Sequence, residues 1–146
     1  MDLSFSEKSA WGSLLGIAVA SYLFFPDAIA HINEGGEPVG LIGRVIFIIG
    51  VLIAVEVVYH TLVAASSDST ESDERDALIS LKADRNAGYA LGFGAVWIVG
   101  LVMLRGTVAD TNLPGTQMVA MYILLALTAS EAVKLMSQLW YYRTSV

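Results

Sequence analysis

Four long apolar runs alternate with short polar segments along the chain, which is the pattern of an all-α membrane protein rather than of a soluble fold. The first run is uncharged from Ser9 to Pro26, follows Lys8, and carries Trp11 at its head and Tyr22, Phe24 and Phe25 near its tail, as interfacial anchors do. Pro26 and Asp27 are expected to end or kink it. Ala28-Ile29-Ala30 mimics a small-x-small cleavage site, so a signal peptide is an alternative reading, one that leaves a three-helix product from His31. His31 to Gly40 is a turn-rich loop by its Gly-Gly and Glu-Pro pairs. The second run, Leu41 to Ala65, is charged only at Arg44 and Glu56.

Ser66 to Asp76 is acidic and rich in Ser and Thr, and reads as a solvated loop. A helix is expected from Asp73, whose side chain can cap free N–H groups, with Glu74 and Asp76 in the first turn where the helix dipole favours acids. Leu78, Leu81 and Arg85 share one face by their spacing. No proline or glycine interrupts Asp73 to Ala87, so this amphipathic helix of about 73–85 leads into the third span, uncharged from Asn86 to Leu104. Thr107 to Gln117 is a second loop, with Pro114-Gly115 as its turn pair. The fourth span, Met118 to Tyr142, closes on Trp140, Tyr141, Tyr142 and Arg143. The expectation is one transmembrane domain, a four-helix bundle with spans at about 9–30, 41–65, 86–105 and 118–142.

Composition agrees: of 146 residues 55% are hydrophobic and only 15% charged, and the mean hydropathy is +0.64. Soluble domains carry about 25% charged residues. The absence of cysteine excludes disulfides, thiolate metal sites and cysteine nucleophiles. The net charge of -6 is carried largely by the loops, which argues against a nucleic-acid partner. Lys8, Arg75, Lys82, Arg85 and Arg143 fall on one side of the membrane and only Arg44 and Arg105 on the other. The positive-inside rule then puts both termini and the central acidic loop in the cytoplasm, with the protein in the inner membrane. A parallel two-fold internal repeat is a further expectation. Gly12/Gly16 and Gly88/Gly92 recur 76 positions apart, and Glu56 and Glu131 recur 75 apart.

The chemistry rests on those two glutamates. Glu56 and His60 are four apart on the second span; Glu131 and Lys134 are three apart on the fourth, with Gln138 continuing the stripe. Counting back from Ala65 and Tyr142 puts the carboxylates roughly 14 and 16 Å inside the cytoplasmic ends at 1.5 Å per residue. With the second and fourth spans side by side, Glu56, His60, Glu131, Lys134 and Gln138 form one polar intramembrane cluster. A carboxylate at mid-bilayer costs at least ~2.5–3.5 kcal/mol, which makes such a cluster a functional candidate. Two readings compete. One is a proton or cation site, since burial raises a carboxylate pKa and histidine titrates near neutrality. The other is hydrogen-bonded pairs that fix helix register or a subunit contact. The apolar outer halves, Val45 to Val55 and Val119 to Leu127, argue against an open pore. A metal site on Glu56, His60 and Glu131 has few ligands to offer, and His31 lies in the opposite loop, which excludes a bis-histidine haem. The residues name no cofactor.

Gly12, Gly16, Gly88 and Gly92 make small faces for close helix packing, within one subunit or between two. Asp73, Glu74, Arg75 and Asp76, followed by Lys82 and Arg85, read as a capped, solvated helix start; binding of a divalent cation or a basic partner is the alternative. No Ser/His/Asp set, phosphate loop or zinc-protease helix occurs.

Asp73-Glu74-Arg75-Asp76-Ala77-Leu78-Ile79, continuing through Lys82 to Arg85, resembles a motif of a group of small four-span prokaryotic membrane proteins. Ser6 to Trp11 and Ser130 to Lys134, running on through Tyr142-Arg143, are similar to that group as well. The resemblance covers about a third of the chain, in consistent order, and implies the four-span topology without an activity. The functional expectation is a homo-oligomeric, non-enzymatic membrane protein. Its role is sensory, regulatory or accessory, with a cytoplasmic protein partner at the 73–85 helix. A proton-coupled or cation transporter and a metal- or quinone-dependent membrane enzyme are the alternatives.

Overall fold

The structure, a computed structural model, describes residues 5–65, 74–107 and 115–144. These form four helices: α1 (Phe5–Asn33), α2 (Pro38–Ala65), α3 (Glu74–Thr107) and α4 (Thr116–Thr144). All four are long and apolar enough to cross a membrane. With 28 to 34 residues each, they run for about 42–51 Å at 1.5 Å per residue, longer than a hydrocarbon core of about 30 Å.

α1 does not stop at Pro26: it continues to Asn33. Proline removes one backbone hydrogen bond, but the turns on either side are held from outside. Phe24 and Ala28 are buried and pack with Leu41 of α2 and Met121 of α4. Tertiary burial outweighs the local cost. The helix closes with Gly35 at a φ of 75°, the Gly36 amide donating to the His31 carbonyl at 2.8 Å and the Gly35 amide to Ile32 at 3.1 Å. This is a Schellman ending, and it requires a residue free to enter the left-handed region. The His31 ring lies against Gly36, where a Cβ would collide with it. α2 then starts directly at Pro38, where a missing N–H costs nothing.

α3 joins the amphipathic segment and the third span into one unbroken helix. Asp73, the expected cap, lies outside the described residues. The packed face is Ile79, Ala83 and Ala87, spaced by four and all buried. Leu78 and Leu81 point the other way, 59% and 66% exposed.

α2 packs on α1, α1 on α4, and α4 on α3. Each of these pairs is antiparallel, so α1 and α4 form a central seam flanked by α2 and α3. Both halves are helical hairpins, as a repeat requires. A two-fold axis, however, would demand an α2–α3 contact equal to the α1–α4 seam, and among the described residues none of that extent forms. Two apolar clusters build the seam. Ala10, Leu135 and Leu139 pack at the end bearing both chain termini, here the terminal end. Phe24, Ala28, Leu41 and Met121 pack towards the opposite, distal end. Few side chains are fully enclosed, and most large apolar residues, such as Ile42, Ile46, Ile53, Phe93 and Trp97, face outward. Among four apolar helices, that is the surface a lipid phase covers.

Gly12 and Gly94 are required by close approach. A Cβ on Gly12 would meet the Tyr59 ring of α2, and one on Gly94 would stand 2.9 Å from Ala126 Cβ of α4. The positions of Gly16, Gly88 and Gly92 open on empty space within this chain.

Candidate functional site at the terminal end

Side-chain hydrogen bonds between helices gather at the terminal end. On α1, Ser6 Oγ donates to Asp76 Oδ2 of α3 at 2.8 Å, and Ser9 Oγ lies 3.0 Å from His60 Nδ1 of α2. The Lys8 carbonyl accepts from the Tyr59 hydroxyl at 2.6 Å. Between α3 and α4, Asp76 Oδ1 accepts from the Tyr142 hydroxyl at 2.9 Å, and Asn86 donates to Ser137 and to Tyr141 at 3.1 Å each. Arg75 donates to the Tyr142 carbonyl, the Lys82 ammonium sits 5.7 Å from the Tyr141 ring centre, and Arg143 stacks over Trp11. Glu74 and Arg85 are exposed on α3. The charged segment of α3 is thus fixed along the last third of α4.

The five residues expected as one cluster divide between two interfaces. Lys134 Nζ pairs with Asp84 Oδ1 of α3 at 2.9 Å, and its own-helix neighbour Glu131 is further away at 4.0 Å. His60 turns to Ser9 of α1 instead of to α4. Gln138 lines a polar cavity described below. Glu56 is half-buried and, among the described residues, has no hydrogen-bond or ion-pair partner. The physical reason for the division is that α1 stands between α2 and α4 at this level, so each polar stripe meets the helix next to it. A helical period tells which residues share a face; it does not name the neighbour.

Register also revises the depth. Ser130 Oγ donates to the Ala87 carbonyl at 3.2 Å, which sets Glu131 beside Ala87 and Lys134 beside Asp84. Ala10 packs on Leu135 and Leu139 while its neighbour Ser9 meets His60, so His60 stands level with the charged part of α3. The uncharged stretch of α3, Asn86 to Leu104, is about 28 Å long at 1.5 Å per residue and matches a hydrocarbon core. Glu131, Lys134, Glu56 and His60 therefore line up with the boundary where that stretch begins, not with its middle. The cost of holding them there is correspondingly smaller.

A polar cavity of about 260 Å³ opens between α1, α3 and α4, lined by Ser6, Ser9, Ser13, Asp76, Ser80 and Gln138 among others. Sequence reasoning met Ser6 and Ser9 only within the Ser6 to Trp11 motif and passed over Ser13 and Ser80, because a lone hydroxyl carries no periodic signal. Asp84 and Asn86 were legible only as the polar edge of a span. A Ser9–His60 pair at hydrogen-bond distance invites comparison with a nucleophile and its base. Among the described residues no carboxylate hydrogen-bonds the ring, and Ser9 sits inside a helix whose amides are committed to the backbone ladder.

Among the described residues no three His, Asp or Glu side chains converge to hold a metal ion; Glu56, His60 and Glu131 stand apart. At the distal end, Arg44 Nε donates to Asp27 Oδ2 at 2.6 Å, and His31 Nε2 lies 3.1 Å from the Glu37 carbonyl. No family model, curated protein or solved structure matches the chain.

Proposed function

We propose that the protein is a non-enzymatic, multi-pass membrane protein with a sensory, regulatory or accessory role, exercised through its terminal end. The observation that carries this reading is the distribution of polar contacts. They tie α1, α2, α3 and α4 together at one end, and the apolar cluster Phe24, Ala28, Leu41 and Met121 fills the seam beyond them. A proton or ion path needs polar groups on both sides of the mid-plane, and here that half of the seam is apolar. The rigidly held start of α3 exposes Leu78 and Leu81 beside Glu74, Arg75 and Arg85, a surface suited to a protein partner. The basic residues Lys8, Arg75, Lys82, Arg85 and Arg143 favour a cytoplasmic terminal end and the inner membrane. The likeness of the motif at Asp73 to Ile79 to small four-span prokaryotic proteins accords with that placement. Gly88 and Gly92 on an exposed face of α3 are available for homo-oligomer packing.

Proteoliposome flux across a pH gradient tests the reading. The expected result is no flux above empty vesicles in wild type or Glu131→Gln. Flux that Glu131→Gln abolishes would establish transport and remove the proposal. Photo-crosslinking from positions 78 and 81 in cells should give one discrete heterologous adduct that is absent from position 23.

A further inference from the structure

We propose that a groove between α1, α2 and α4 binds one chain of a phospholipid whose zwitterionic head group ends in an ammonium, phosphatidylethanolamine in a bilayer, with Glu131 as the residue that selects the head. The groove has a volume of about 260 Å³, and its walls include Phe24, Ile49, Leu52, Leu124, Thr128 and Glu131. Its distal end is closed by the cluster of Phe24, Leu41 and Met121. Glu131 is the only ionisable residue in the lining. An apolar slot with one charged group at its end has the form of a site for an amphiphile.

Charge at one end decides between a lipid chain and a second copy of this protein. The groove runs about 10 Å from Leu124 to Glu131 at 1.5 Å per residue, apolar for most of its length. A helix packed across it would bury the Glu131 carboxylate, whereas an amphiphile lays its chain in the slot and its polar head at the carboxylate.

Depth and charge decide the head group. Glu131 stands beside Ala87, at the boundary of the uncharged stretch of α3, where lipid head groups begin. Lys134 is drawn to Asp84 at 2.9 Å and stays 4.0 Å from Glu131, whose side chain is half exposed. Glu56 follows Leu52 by one turn, on the α2 stripe of Val45, Ile48, Ile49 and Leu52 that lines the groove. The Glu131 carboxylate at the mouth, with Glu56 one turn beyond the α2 lining, favours an ammonium and disfavours an anionic head.

The test is native mass spectrometry of the full chain in mild detergent, titrated with dioleoyl phosphatidylethanolamine or dioleoyl phosphatidylglycerol. Wild type should retain the first ethanolamine lipid about fivefold better than the glycerol lipid, the upper reach of a half-exposed ion pair. Glu131→Gln should bring that ratio near one, and Leu52→Trp, which fills the slot, should weaken both lipids. In the unmutated protein dodecylammonium should displace the ethanolamine lipid and dodecanol should not. A ratio near one in wild type, a ratio unchanged by Glu131→Gln, or equal displacement by the two competitors overturns the proposal. Disulfide-linked dimers formed through Leu52→Cys more readily than through Val58→Cys would assign the groove to a second copy and overturn it likewise.

Discussion

Replacing Gly12 by alanine should loosen α2 from α1, and the adjacent Gly16 supplies the control. At Gly12 the new methyl group would occupy the space of the Tyr59 ring, whereas at Gly16 it meets nothing within 4 Å. Overpacking costs about 1–3 kcal/mol, and a ring pushed aside also gives up its 2.6 Å bond to the Lys8 carbonyl, about 0.5–1.5 kcal/mol. Alanine returns up to about 1 kcal/mol over glycine within a helix. The net expectation is a loss of about 1–3 kcal/mol for Gly12→Ala and a gain of up to about 1 kcal/mol for Gly16→Ala. Opposite signs thus arise from one chemical change on one helix. Equilibrium unfolding in mixed micelles with rising dodecyl sulfate measures both, and the double variant Gly12→Ala/Tyr59→Leu should recover about 1 kcal/mol of the loss as coupling. If the two alanine variants fall within 0.5 kcal/mol of each other, the close packing of Tyr59 on Gly12 is refuted.

Three further outcomes are expected. Gly94→Ala should weaken the α3–α4 hairpin by about 1 kcal/mol, because its methyl would press on Ala126, while Gly92→Ala should be neutral or stabilising; the same unfolding assay separates them. Asp84→Asn should cost no more than about 1 kcal/mol, since its side chain is 51% exposed and the pair with Lys134 is partly screened, and the exchange Asp84→Lys/Lys134→Asp should restore part of it. Asp76→Ala removes acceptors for Ser6 and Tyr142 together and should expose the start of α3, read as faster trypsin cleavage at Arg75 and Lys82; unchanged cleavage would deny Asp76 that role.

The four helices and the continuity of α3 were legible because apolar run length and the absence of breakers are local properties. The first span was set at about 9–30 with Pro26 as an end or a kink; what carries α1 through Pro26 to Asn33 is burial of Phe24 and Ala28 against residues from two other helices. The same limit governs the polar residues. Spacing put Glu131 with Lys134 and Glu56 with His60 on shared faces, but which helix each face meets is a tertiary fact, and it gave Lys134 to Asp84 and His60 to Ser9. Depth counted from helix ends assumed that every helix leaves the membrane where it ends. α4 instead runs on beside the charged part of α3. Of the four glycines marked by Gly-x3-Gly spacing, Gly12 makes a close contact within the chain, and the unmarked Gly94 of α3 makes another.

The seam between α1 and α4 has a consequence for how the protein is made. Ala10 and Leu135 are partners far apart in sequence, so α1 cannot complete its interior until α4 arrives. The α1–α2 hairpin can insert early, but one flank of α1 stays open to lipid throughout synthesis of α3. Insertion of α4, rather than of any earlier helix, is then the step that commits the molecule to its fold. A nascent protein arrested before α4 would present Ala10, Phe24 and Ala28 on a bare flank, open to any other helix in the membrane.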